Sequence, residues 1–348
     1  MSLGIGIIGL PNVGKSTLFN ALLKRQQAFV ANYPFATIEP NVGVVPVVDK
    51  RLDRLAEIEK DENKLPNQPP IIYATVSFVD IAGLVKGAYK GEGLGNKFLA
   101  HIREVDAIVQ VIRFFKDTNV VHISETPDPQ SDLETVNTEL ILADIQTLEK
   151  SKTKDKISNL AIEKLAQGLN EGKMARDLSL TSEELEVIKP LQLLTMKPMF
   201  YVANVSEDKL SVSLPKEFIP ISAKVEAELS SLTSEEQEEY LKELGVSESG
   251  LDKVIHKGYE ILDLISFLTA GVKEVRAWTL RRGSTALRAS GTIHTDFEKK
   301  FIKAEIIEFE DFVNAGGWKR ARELGKTRLE GRDYIVKDGD VIEFKIGA

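Results

Sequence analysis

No cysteine occurs among the 348 residues. That excludes a disulfide framework, a thiolate zinc site and a thiol nucleophile, so any chemistry must rest on other side chains or on the main chain. No apolar run approaches the roughly 20 residues a helix needs to cross a bilayer. The opening "MSLGIGIIGL" has no charged stretch ahead of its apolar one, so neither a membrane partner nor a leader is expected and the chain reads as cytoplasmic. Positive charge is also short, with a net charge of −8, which gives the whole chain no long-range pull towards nucleic acid and makes DNA an unexpected partner. The average hides a local excess. Residues 273–332 carry 14 Lys and Arg against 9 Asp and Glu, a balance of +5, leaving −13 elsewhere. With 43% hydrophobic and 28% charged residues, the chain is long enough for two or three domains with their own cores.

Apolar strand-like runs, Gly4 to Ile8, Ala74 to Val79, Ala107 to Ile112 and Pro198 to Ala203, alternate with helical patterns. That alternation predicts an α/β fold, a doubly wound and mostly parallel sheet. Between 132 and 198 helical spacing takes over, in Val136, Leu140 and Ala143 and again in Ile157, Leu160, Ala161 and Leu165. "KSKTKDK" separates the two patterns, as in an antiparallel helical arm inserted into the sheet domain. A second helical stretch, Ala223 to Leu264, leads out of the sheet. The remainder ends in "DYIVKDGDVIEFKI", whose Asp-Gly between apolar runs predicts a hairpin. The expected organisation is a nucleotide domain of 1–131 and 199–262, an arm of 132–198 and a small α+β module of 263–348.

"GLPNVGKS", Gly9 to Ser16, fits G-x-x-x-x-G-K-[ST] between an apolar strand and an amphipathic helix, the context in which that motif holds phosphate. The cradle runs through Pro11, Asn12, Val13 and Gly14 into Lys15, Ser16 and Thr17. Backbone N–H groups and the helix N-terminus face the β-phosphate. Lys15 is expected to bridge the β- and γ-phosphates and the Ser16 hydroxyl to hold Mg²⁺. In "VSFVDIAGL", Asp80 ends a strand as a second Mg²⁺ anchor and the Gly83 N–H meets the γ-phosphate. In "NYPFATIEPNVGVVP", Asn32 to Pro46, Thr37 is expected to close over metal and phosphate.

These segments, with "DIAGLVKGAYKGEGLGNKFL" and "TAGVKEVRAWT…HTDFEKKFI…DYIVKDGDV", resemble the YchF family of Obg-related NTPases, called Obg-like ATPase in eukaryotes. The resemblance runs from about Ile5 to Lys345. It implies that the terminal module is a TGS domain of β-grasp fold and that the parts flanking the nucleotide domain meet the ribosome; the concentration of Lys and Arg in that module of an otherwise acidic chain separately makes it a candidate for RNA contact.

Where related GTPases read guanine with Asn-Lys-x-Asp, this chain has Asn204-Val205-Ser206-Glu207. A site built to pair with guanine's donors rejects a base lacking them. Here the acid is one methylene longer and the lysine stem is missing, so guanine readout is compromised. The family resemblance implies a preference for ATP, with Asn204 at the adenine edge, Val205 as an apolar floor, Glu207 beside the base, and Ser222 and Ala223 as the final base-side loop. Leu84 stands where a GTPase often places a water-orienting Gln. By resemblance, Asn12 is a candidate to hold K⁺ beside the phosphates, and His122 a candidate to orient water. The expected function is a Mg²⁺-dependent ATPase acting as a conformational switch, with a nucleotide-sensing ribosomal scaffold and a plain GTPase as rivals.

Overall fold

A computed structural model describes residues 3–30, 41–81, 94–115, 128–151, 155–210 and 214–347. Thr37, Gly83, Leu84 and His122 lie outside the described residues. The chain divides into two compact units, Met1–Val45 with Ser77–Ile261, and Pro46–Val76 with Leu262–Ala348.

The first unit is built on β1 (Gly4–Ile8), which runs parallel to β4 (Ala74–Asp80) on one side and β5 (Ala107–Arg113) on the other. Beyond β5 lie β6 (Met199–Asn204) and β7 (Phe218–Ile221), also parallel. With β2 (Val42–Val47) the strand order is β2-β4-β1-β5-β6-β7. Ile5, Ile7, Ile8, Ile108 and Val109 are fully buried, as expected of central parallel strands whose apolar runs are covered on both faces. Two strands escaped the sequence reading because each carries a proline. Pro46 in β2 and Pro220 in β7 occupy the sheet's two edges, where a missing N–H costs no ladder bond.

Helices α1 (Lys15–Val30), α3 (Leu94–Glu104) and α9 (Gly250–Ile261) accompany this sheet. The expected helical stretch over 223–264 consists of α7 (Ala223–Leu229), α8 (Ser234–Glu243) and α9, and ends at Ile261 because Leu264 already opens a strand. The break before α8 is set by Thr233, whose hydroxyl accepts the Glu236 N–H while the Glu236 carboxylate accepts the Thr233 N–H, a start signal that overrides helical spacing.

The inserted arm consists of α4 (Pro129–Lys150), α5 (Lys156–Asn170) and α6 (Ser182–Ile188). Asp128 caps α4 by accepting the Gln130 and Ser131 N–H groups, with Pro129 in the first helical position where its lost N–H has no partner anyway. The arm has a core of its own, in which Leu148, Ala161, Leu165, Leu169 and Ala175 are nearly or fully buried.

In the second unit a mixed sheet of order β11-β10-β12-β8-β9-β3 forms the β-grasp. Its strands are β3 (Ile71–Ile72), β8 (Leu264–Ala270), β9 (Val275–Arg281), β10 (Phe301–Glu308), β11 (Arg328–Glu330) and β12 (Asp340–Ile346). Its helices are α2 (Arg51–Asn63), α10 (Ala286–Ile293), α11 (Thr295–Lys299), α12 (Phe309–Ala315) and α13 (Trp318–Glu323). Residues 46–76, placed in the nucleotide domain by sequence, join this unit. β3 pairs with β9. The Arg51 guanidinium donates to Asp338 at 2.9 Å, and Glu62 accepts the N–H groups of Trp318 and Lys319 at the start of α13.

The expected hairpin over 333–346 does not form. β12 pairs antiparallel with β10 and parallel with β8, while Ile335 bridges to Thr285 and the Val336 N–H donates to Ser284 O. Asp338 at the turn accepts the Ser266 N–H, which diverts the two arms of the Asp-Gly turn to different neighbours.

Candidate nucleotide site

At the carboxyl ends of β1 and β6 lies a cavity of about 840 Å³, where open α/β sheets bind ligands. The phosphate loop forms one wall. Gly9 and Gly14 have φ of 151° and 103°, values closed to ordinary side chains. A Cβ on Gly9 would stand 2.5 Å from Val111 O, and one on Gly14 2.1 Å from Asn204 Nδ2. Asn12, also at positive φ (61°), Gly14, Lys15, Ser16 and Thr17 line the cavity. Pro11 and Val13 do not. Val13 is fully buried and acts through its carbonyl.

Lys15 is 8% exposed and its ammonium donates to Leu10 O at 2.7 Å. Burial pushes its pKa down to about 8, and the carboxylate of Asp80 pulls it partly back. Burial likewise raises Asp80, and Lys15 opposes that rise, so the two groups sense each other where strand and loop meet. A polyphosphate bound in the loop would supply charge that holds the ammonium ionised. Binding is therefore expected to take up most of a proton at pH 9 and little at pH 7. Calorimetric titration in two buffers of different ionisation enthalpy measures this, and equal heats at pH 9 would refute it.

The opposite wall comes from the ends of β6 and β7. Asn204 is 5% exposed. Its Nδ2 donates to Val13 O at 2.9 Å and its Oδ1 accepts the Ala223 N–H at 3.2 Å. The amide thus braces the phosphate loop against the turn after β7, which leaves one N–H and one lone pair for a base. Val205 is 3% exposed and forms cavity wall, while Glu207 is an exposed lining residue. Ser222 and Ala223 also line the space, and the Ser222 hydroxyl is committed to capping α7 through Val225 N.

Sequence reasoning missed Phe115, Ser206, Asp208, Lys224 and Ala227, which complete the lining. Phe115 had a usable signal, an aromatic just past the end of a central strand. It is held by the buried Arg113, whose guanidinium stands 4.4 Å from the ring centroid and donates to Phe115 O. Among the described residues no group of three or more His, Asp or Glu side chains could cage a metal, and no helix is long and apolar enough to cross a membrane.

Comparison with known proteins places this geometry among close relatives. The model of the 50S ribosome-binding GTPase matches residues 4–150, and the YchF-GTPase_C model, described as a protein of unknown function (DUF933), matches 264–347. The chain is 50% identical over 367 residues to the ribosome-binding ATPase YchF of Escherichia coli O157:H7, covering 99% of each. It is 47% identical over 371 residues to the ribosome-binding ATPase YchF of Bacillus subtilis, again with 99% of each covered. The solved structure of the Schizosaccharomyces pombe YchF GTPase superposes with a TM-score of 0.85 at 37% identity, covering 99% of this chain and 98% of that one.

Proposed function

This chain belongs to the YchF family of P-loop NTPases, and from that premise we propose that it is a ribosome-associated ATPase of the cytoplasm. The observation that carries the choice of base is the wall at Asn204 to Glu207. A buried valine lies where a guanine site has its lysine, and the asparagine gives half of its hydrogen-bonding capacity to bracing the loop. Such a wall offers apolar surface, with Phe115 nearby for a base to lie against, and few donors or acceptors to tell guanine from adenine.

The residues fit a divalent cation in the manner general to P-loop NTPases, with hard oxygen ligands completed by the nucleotide. Ser16 and Asp80, with Thr37, would supply the protein's share, and Mg²⁺ would supply charge neutralisation on the phosphates. Lys15 holds the β- and γ-phosphates from the loop side. Gly83 offers its N–H to the γ-phosphate. His122 orients water, whose oxygen forms the new bond to the γ-phosphorus as the bond to the ADP oxygen breaks. Asn12 would hold K⁺, which would supply the positive charge that an arginine finger supplies elsewhere. In this reading 1–45, 77–131 and 199–261 form the nucleotide domain, 132–198 the arm, and 262–348 with 46–76 the unit that carries the TGS domain, and the arm and the basic TGS stretch meet the ribosome, the latter through RNA.

The second reading is a GTPase, as the Schizosaccharomyces pombe relative is named. Competitive titration of ATP and GTP against one fluorescent nucleotide separates the two. ATP is expected to bind at least about tenfold more tightly, and a clear preference for GTP would overturn the assignment. Turnover with and without ribosomes distinguishes an enzyme switch, which accelerates, from a scaffold, which does not.

A further inference from the structure

The arm leaves the sheet unit at the cavity end of β5 and rejoins it at the far, amino end of β6, so that β6 itself spans from the root of the arm to the cavity wall. It is entered from β5 after Phe115, a lining residue, and its exit runs through Lys197 and Pro198 into β6, which ends at Asn204. A third link is not covalent. α3, about 16 Å long, starts fourteen residues after Asp80 and ends against the root of the arm.

There the guanidinium of Arg103 donates through Nη1 to Gln192 O at 3.1 Å and Leu191 O at 3.4 Å, and through Nη2 to Thr147 Oγ1 at 2.9 Å. One side chain thus binds α4 and the chain that returns from α6. Lys197 answers from the other side. Its ammonium donates to Arg103 O at 2.9 Å and to Val105 O, meeting the carbonyl end of α3, where the helix dipole favours a cation. Within the root, the buried Asp144 of α4 accepts the N–H groups of Leu194 and Thr195 and the Thr195 hydroxyl, so the two strands of the root move as one piece.

Beside these bonds lies a cavity of about 560 Å³ lined by Arg103, Asp106, Leu185, Ile188, Met196 and Lys197. Packing is interrupted there, and polar bonds hold α3 to the arm. The bonds from Arg103 and Lys197 run in opposite senses, so a displacement of α3 along its axis or across it pulls on the arm.

Building on the nucleotide-binding reading, we infer that Arg103 and Lys197 form a clamp that passes the nucleotide state from α3 to the helical arm. They are positioning residues and touch no nucleotide. A loosened clamp leaves nucleotide binding intact and removes the arm's response, since coupling requires an element that both sites bias.

The cysteine-free sequence allows a direct test on the full chain. Leu160→Cys on α5 (60% exposed) and Glu217→Cys before β7 place a donor and an acceptor dye on exposed positions of the same unit. Transfer efficiency is compared with ADP and with a non-hydrolysable ATP analogue, each with Mg²⁺. The parent is expected to differ between the two nucleotides. Arg103→Met and Lys197→Met should shrink that difference at least about twofold while each Kd stays within about threefold. Arg103→Lys should restore part of it. Thr147→Val, which removes a single bond, should give a smaller loss and serves if the methionine variants fail to fold. A full difference in the clamp variants overturns the inference. So does a parent that binds both nucleotides without any difference. A parent that binds neither removes the functional reading itself, and the clamp with it.

Discussion

Gly14→Ala is expected to weaken nucleotide binding about 100-fold. Two costs add. The backbone at φ 103° admits a side chain only with strain of roughly 1–2 kcal/mol. The new Cβ would also fall 2.1 Å from Asn204 Nδ2, and that nitrogen has no slack because it is bonded to Val13 O. Moving it breaks the brace between the phosphate loop and Ala223, at about 1 kcal/mol for each of two hydrogen bonds. The free loop escapes these costs by relaxing and binding must restore the cradle, so the sum of about 3 kcal/mol falls on binding, or roughly two powers of ten in affinity. Titration with a fluorescent nucleotide, beside circular dichroism to confirm folding, measures it. Affinity within about fivefold of the parent would show that the brace is not what shapes the loop.

Glu59→Gln is expected to stabilise the second unit at pH 8 and to do nothing at pH 4. Glu59 on α2 is 2% exposed. Its Oε2 accepts from Asn63 Nδ2 at 3.0 Å, and its Oε1 has no partner. Burial, with a smaller push from Glu62, raises its pKa from 4.5 to about 7. The folded state therefore keeps a proton that the unfolded state has lost, and stability falls as pH rises through that window. Above it the loss is about 3 kcal/mol, which glutamine, uncharged at every pH, avoids. At pH 8 the unfolding midpoint of this unit should rise by roughly 5–15 °C. Glu226, also raised to about 7 by burial, keeps part of the pH dependence in both proteins. Only the difference between them tests Glu59, and equal midpoints at pH 8 would refute the assignment.

What the sequence disclosed follows from range. β1, β4, β5 and β6 are short apolar runs whose burial on both faces is written in consecutive residues, and the phosphate loop is a contiguous word. The glycine positions in it needed no partner to be recognised. Asn204 was identifiable as part of the base-side motif, yet its bonds to Val13 and Ala223 join three segments distant in sequence, and no local pattern encodes them. Phe115 enters the cavity for the same reason. The terminal Asp-Gly turn predicted the wrong partner because the turn's own chemistry is local, whereas the competition won by Ser284 and Thr285 is not. The sequence reading likewise had no means of seeing that α2 serves the second sheet, since its apolar stripe of Leu52, Leu55 and Ala56 fits any apolar surface.

That placement of α2 has a consequence for dissecting the protein. The chain crosses between its two units at Val45/Pro46, Val76/Ser77 and Ile261/Leu262, so the carboxyl-terminal unit is not a separable tail. A fragment beginning at residue 263 would leave β9 without its β3 neighbour, Asp338 without Arg51 and the first turn of α13 without the carboxylate of Glu62. Cutting the gene at the apparent domain boundary removes a wall from one house and leaves it hanging on the other.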